Sequence, residues 1–248
     1  QSRASHYQKW LETFAKFCPV FESIPINKKD EHGPYWNNGF LPFLDMVSLF
    51  GIIAVHKPNR YIEIGSGNST KVANFVRQRL GLDFEIVSID PNPRSEIDAL
   101  CDLAIRKPLH EMDLGMFAEM DHREILFFDG SHRVLQNSDN QILFFDIIPI
   151  LKNDVLLHLH DINWPNDYPE EWRKRYYTEQ YVLGAMLLFG SDKFAIEFPA
   201  AYVSMRMNLE KYFGEFWRRN GLLDIEKHGC SFWFKKTAPK EPFETSLL

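Results

Sequence analysis

Carboxylates and imidazoles recur at the ends of short apolar runs in the middle of this chain. Glu63 precedes the turn Gly65-Ser66-Gly67 in "RYIEIGSGNST", and Asp90 ends "FEIVSID". Asp129 opens "DGSH" after "EILFF", and His158, His160 and Asp161 close "DVLLHLHD". Two glycines let the backbone turn sharply and approach a ligand, and Ser69 or Thr70 can cap the helix that follows. By itself the pair is equally compatible with a tight structural turn. A carboxylate at Asp90 can accept both hydroxyls of a ribose, or simply shape an Asp-Pro turn. Asp129 and Asp161 end strands expected to be neighbours, so their oxygens can converge on one divalent cation, Mg²⁺ or Mn²⁺ by ligand chemistry. His132 overhangs the same pocket and His160 joins it, an imidazole that shifts the metal preference toward Mn²⁺, Fe²⁺ or Zn²⁺. His158 shares a strand face with His160 by period two and reads better as a core histidine.

The elements that must position these groups alternate between strand and helix from Arg60 onward. "RYIEI", "FEIVSID", the weaker "DLAIRKP", "EILFFDG" and "DVLLHLHDI" read as strands. "STKVANFVRQRLG", with Gly81 as its C-cap, and "VLQNSDNQILFFDIIPIL" read as helices between them. That alternation predicts a doubly wound, mostly parallel α/β sheet, in which ligands bind beyond the carboxyl ends of the strands. "KFAIEFPAAYVS" and "CSFWFKK" are β-rich and add antiparallel strands at one edge, around a helical "RMNLEKYFGEFWRRNGLLD". Residues 1–58 are expected as a helical extension or lid, 59–240 as the α/β domain and 241–248 as a tail. Two segments are candidates for covering the site. One is "HGPYWNNG"; the other is "INWPNDYPEEWRKRYYTEQY", where Trp164, Tyr168, Trp172, Tyr176 and Tyr177 either pack on the core or wall an acceptor. Arg173 or Arg175 there can meet a phosphate or carboxylate.

Composition narrows the function. At 248 residues the chain can bury a full core, and its 45% apolar and 25% charged residues are ordinary for a globular protein. A net charge of −6 argues against general nucleic-acid binding. Three scattered cysteines form no disulfide framework or metal spacing, so a reducing, cytoplasmic setting is expected. The longest apolar run, Ile142 to Leu151, carries Asp146 and is too short to span a membrane.

"RYIEIGSGNST", "VSIDPNPR" and "EILFFDGSHR…NSDNQILFFDIIPILKNDVLLHLHDI" together resemble the class I S-adenosylmethionine-dependent methyltransferases. Within these the chain is similar to the family-24 group that includes macrolide-sugar O-methyltransferases. The likeness covers roughly Arg60 to Tyr181 and lies in the order of the motifs. It implies a Rossmann-like fold in which Glu63, Gly65, Ser66 and Gly67 line the methionine end of the cofactor and Asp90 holds its ribose. Ser69 stands where that loop usually has a third glycine. The likeness further implies that Asp129 binds metal and His132 is the catalytic base. The last strand departs from the pattern, with His160-Asp161 where an acidic pair is usual. The expected reaction is in-line methyl transfer from S-adenosylmethionine to a hydroxyl of a sugar, glycan or glycosylated metabolite. An NAD-type oxidoreductase is the rival enzyme, opposed by Thr70 where a dinucleotide site needs glycine. A catalytically silent binding module is the rival outside enzymes.

Overall fold

The computed structural model describes residues 3–93 and 96–238. Five parallel strands, β1 (Arg60–Ile64), β2 (Glu85–Ile89), β3 (Leu103–Ile105), β4 (Glu124–Phe128) and β5 (Leu156–Leu159), form most of one sheet. β6 (Phe194–Pro199) and β7 (Phe232–Lys236) complete it, with β7 antiparallel to both β5 and β6. The spatial order is β3-β2-β1-β4-β5-β7-β6, the Rossmann-like sheet with an antiparallel edge that the sequence predicts. The order reverses between β1 and β4, and a ligand crevice opens at such a switch point.

Side chains alternate between two cores, one on each sheet face. Tyr61, Ile86, Phe127 and Trp233 pack with the N-terminal helices Ala4–Ala15 and Phe43–His56, while Ile62, Ile64, Leu126 and Phe128 pack on the opposite side. Residues 1–58 were expected as an extension. Their described part builds one layer of the core, since Phe14, Phe43 and Phe50 are all fully buried there. Residues 241–248, the expected tail, lie outside the described residues.

Two elements differ from expectation for identifiable reasons. The strand through "KFAIEFPAAYVS" stops at Pro199, which has no N–H for a ladder bond, and Ala200–Arg206 turns helical to bury Ala200, Ala201 and Val203. The helix expected from Val134 begins at Asp139, where Ser138 caps it by accepting the Gln141 N–H. It widens into a π-turn at Leu143–Ile147 just before Pro149, whose ring removes a donor from the α-helical ladder.

Candidate active site

The glycine turn is built from below. Gly65 has φ +80°, and a Cβ there would lie 1.9 Å from the Asp129 carbonyl oxygen. Only glycine therefore lets the ends of β1 and β4 touch. Gly67 N–H donates to Thr70 Oγ1 (3.1 Å), and that hydroxyl in turn donates to Glu63 Oε2. Tyr61 Oη lies 3.2 Å from Glu63 Oε1. Glu63 is thus fully buried under the turn rather than on a cavity wall. Burial pushes its carboxyl up to about 7, against the hydrogen bonds that favour the charged form. Ser69 is also buried, beside Glu63.

A cavity of about 400 Å³ opens above the switch point, from Gly65 and Ser66 across Ile89, Asp90 and Leu109 to Asp129 and Gly130. Ser66 N–H and Asn92 N–H each donate to one Asp90 oxygen, at 2.9 and 2.8 Å, which fixes the carboxylate at the cavity edge. Arg106, which the motifs did not flag, fastens this edge by donating to the Asp90 carbonyl (3.0 Å) and to Ser88 Oγ (3.1 Å). A polar floor beside apolar Ile64, Ile89, Pro108 and Leu109 suits a nucleoside, so the residues present fit S-adenosylmethionine.

A second cavity, about 520 Å³, adjoins the first at Asp129 and is lined by His132, His160, Asp161, Trp172, Arg175 and Tyr177 among others. Strand register explains the meeting. Phe127 pairs with His158, so Asp129 and His160, two residues further along each strand, rise on the same face. His132 Nε2 lies 3.3 Å from Asp129 Oδ1 and 3.5 Å from Asp161 Oδ2. His160 Nδ1 lies 3.3 Å from Asp161 Oδ1 and 3.7 Å from Asp129 Oδ1. Both His132 (φ 61°) and Asp161 (φ 56°) hold the left-handed conformation, strained for non-glycine residues and concentrated at functional sites.

Each imidazole is held from behind by a buried acid that no motif signalled. His132 Nδ1 sits 2.6 Å from Glu179 Oε1, and His160 Nε2 sits 3.2 Å from Asp45 Oδ2. Asp45 also accepts the N–H groups of Cys230 and Ser231, tying the Phe43–His56 helix to the segment that enters β7. Asn140, with its amide turned to satisfy both neighbours, donates to Glu179 Oε2 and accepts the His132 N–H, each at 2.8 Å. Burial alone would lower both histidines. Glu179 and Asp129 at His132, and Asp129, Asp161 and Asp45 at His160, outweigh it and hold both well above the usual histidine range. Burial raises Asp129, yet His160 and His132 pull it well below the usual carboxylate range. Glu179 is pushed up to about 7 by burial, opposed by His132. The result is a cluster of two imidazoles held among four carboxylates. His158 stands apart, stacked on Phe127 (3.8 Å between centroids) and bonded to Ser231 Oγ (2.9 Å), and burial drives it well below its ordinary value.

The donors expected to hold a metal are therefore paired with one another. Among the described residues, no group of three or more His, Cys, Asp or Glu side chains stands in a metal-holding arrangement. The aromatic segment is laced to the site: Thr178 N–H donates to the His132 carbonyl, Val134 N–H to Thr178 Oγ1, and Tyr177 lies 4.3 Å from the His132 ring. Tyr35 of the other covering segment, with Phe40 just beyond that segment, lines a smaller cavity over Ser66, Gly67 and Asp129. No helix among the described residues is long and apolar enough to cross a membrane.

No family model matches the chain. An uncharacterized protein of Archaeoglobus fulgidus is 33% identical over 127 residues, 47% of this chain and 56% of that protein, so the chain spans about half the length of that relative. Among solved structures, the chain is similar to the SAH-bound methyltransferase PaMTH1 of Podospora anserina, at 12% identity and a TM-score of 0.44, over 92% of this chain and 88% of that one.

Proposed function

We propose that this chain is an S-adenosylmethionine-dependent methyltransferase acting on a hydroxyl of a sugar, glycan or glycosylated metabolite. One observation carries the reading. Asp129 is a wall of both the nucleoside-like cavity and the histidine-lined cavity, so a donor and an acceptor can meet at the end of β4. S-adenosylmethionine, when bound, supplies a methyl on a sulfonium that leaves without help from an acid. Asp90 would hold its ribose hydroxyls, and Gly65 and Ser66 its amino-acid end, with Glu63 acting through the turn. The chain's remaining task is to place the acceptor and take its proton. His132 Nε2 faces the second cavity, and Glu179 keeps the Nδ1 proton in place. Once Nε2 has released its own proton it can accept one from an acceptor hydroxyl, with Asp129 and Asp161 stabilising the imidazolium that forms. Trp172 and Tyr177 wall the second cavity with aromatic surface against which a sugar ring can lie, and Arg175, 4.3 Å over Trp172, can reach a charged substituent.

The Mg²⁺ or Mn²⁺ expected at Asp129, His160 and Asp161 is the finer alternative within this reading, and no step above runs through it. Titration calorimetry with S-adenosylhomocysteine tests the cofactor, and methyl transfer to saccharides from labelled S-adenosylmethionine tests the reaction. Binding without turnover on any acceptor would favour a silent module. Binding of NAD in place of S-adenosylhomocysteine would replace the reading with an oxidoreductase.

A further inference from the structure

A third cavity, also about 520 Å³, lies on the far side of the Pro169–Tyr177 segment. Pro169, Trp172 and Tyr177 line both it and the histidine-lined cavity, so this segment is a shared partition. Its side chains divide between the two. Glu171 and Arg175 face the catalytic side, whereas Glu170, Arg173 and Tyr176 face outward. The outer floor is a packed aromatic group, with Tyr168 5.7 Å from Tyr177, 5.8 Å from Tyr181 and 6.3 Å from Trp172. Tyr176 and Tyr181 remain 73% and 51% exposed on this wall, so their rings are open to a ligand.

Polar groups at this wall are fixed in place. Tyr181 Oη donates to Asp167 Oδ1 (2.5 Å), Gln180 Nε2 donates to the same oxygen (3.3 Å), and Gln180 N–H donates to Tyr168 Oη (3.1 Å). Tyr181 holds the Asp167 carboxyl below the ordinary carboxylate range. Rigid aromatic faces with acceptor and donor groups at their rim suit a ring that has apolar C–H faces and a hydroxyl-rich edge. A pyranose has that form.

We propose that this outer cleft is a second acceptor subsite, binding the sugar unit adjacent to the one that is methylated, so that the substrate is an oligosaccharide or glycosylated molecule and not a single sugar. This rests on the sugar-hydroxyl reading above, and supplies the length of substrate that reading leaves open. The bound chain crosses the rim of Trp172 and Tyr177, with its reacting unit beside His132 and its neighbour against Tyr181 and Asp167.

The test uses the full chain with S-adenosylhomocysteine on an array of mono-, di- and trisaccharides, followed by dissociation constants for the binders. Disaccharides should bind at least tenfold tighter than their component monosaccharides. Tyr181→Ala and Asp167→Asn should each erase that advantage, with unchanged melting temperatures. Tyr176→Ala, at the more exposed of the two tyrosines, gives the same readout should Tyr181→Ala fail to fold. His132→Ala should keep the length dependence while losing turnover. Equal binding of mono- and disaccharides, with monosaccharides still methylated, overturns the subsite and leaves the proposed function standing. Absence of saccharide binding, with S-adenosylhomocysteine bound, overturns both.

Discussion

Glu63→Gln separates a residue that braces the glycine turn from one that touches the cofactor. Glu63 is fully buried, accepts from Thr70, and is held at about 7 where an ordinary glutamate titrates near 4.5. A folded value above the unfolded one means that the protonated acid suits the fold. Its contribution is intact below about pH 4.5 and is lost as pH rises through about 7. At 1.36 kcal/mol per tenfold change, that gap is worth about 3 kcal/mol. Glutamine reproduces the protonated acid: its oxygen accepts from Thr70 and its NH₂ faces Tyr61. The variant should match the parent near pH 4.5 and exceed it at pH 8 by up to about 3 kcal/mol, or roughly 6 to 12 °C in melting temperature for a domain of this size. Urea unfolding between pH 4.5 and 8.5 reads this directly, and calorimetry at each pH gives cofactor affinity. Because Glu63 does not line the cavity, affinity for S-adenosylhomocysteine should change by less than about threefold. Parallel stability curves for parent and variant would show that Glu63 is ionised in the fold at no cost and would refute the burial argument. A large loss of affinity would return Glu63 to direct cofactor contact.

The remaining predictions concern the turn and the cluster. Gly65→Ala drives a Cβ into the Asp129 carbonyl at positive φ and should cost about 2 to 3 kcal/mol by overpacking, with cofactor binding weakened, as urea unfolding and calorimetry will show. His132→Ala should lower turnover by about 10²- to 10⁴-fold, the usual worth of a positioned base, while leaving S-adenosylhomocysteine binding nearly intact. The base must be unprotonated and its neighbours hold the proton on, so turnover should rise with pH above the ordinary histidine range. Glu179→Gln removes the most strongly acting carboxylate and should move that rise to lower pH in a pH–rate profile. Turnover should survive chelation, because no step of the proposed base mechanism runs through a cation. Loss with EDTA, restored better by Mn²⁺ than by Mg²⁺, would establish the cation instead.

The parts of the site legible in the sequence are those whose signal is local. Gly65, Asp90, Asp129, His132 and Asp161 each sit within a few residues of a strand end, and the parallel sheet brings all those ends to one edge. Gly81 as C-cap is equally local, with φ +60° at the end of Asn68–Leu80. The limit appears at Glu63. It shares the strand end, but period two directs its side chain onto the sheet face covered by the N-terminal helices, beneath the turn it was expected to line. Glu179 and Asp45 reach the histidines across 47 and 115 residues of chain, so no spacing could announce them. Each still left a physical trace. Asp45 lies within the apolar run "FLPFLDMVSLFGIIAV", and an acid inside a helix otherwise destined for the core must find a buried partner or cost the fold several kcal/mol. That partner had to be a donor beyond its own helix. His160, the imidazole that stands just past β5 where an acid was expected, is the side chain that meets it, together with the backbone of Cys230 and Ser231 just before β7. The departure from the acidic pair and the stray acid in an apolar helix thus meet in one interaction, in which the Asp45 carboxylate and the His160 imidazole each supply a buried partner to the other.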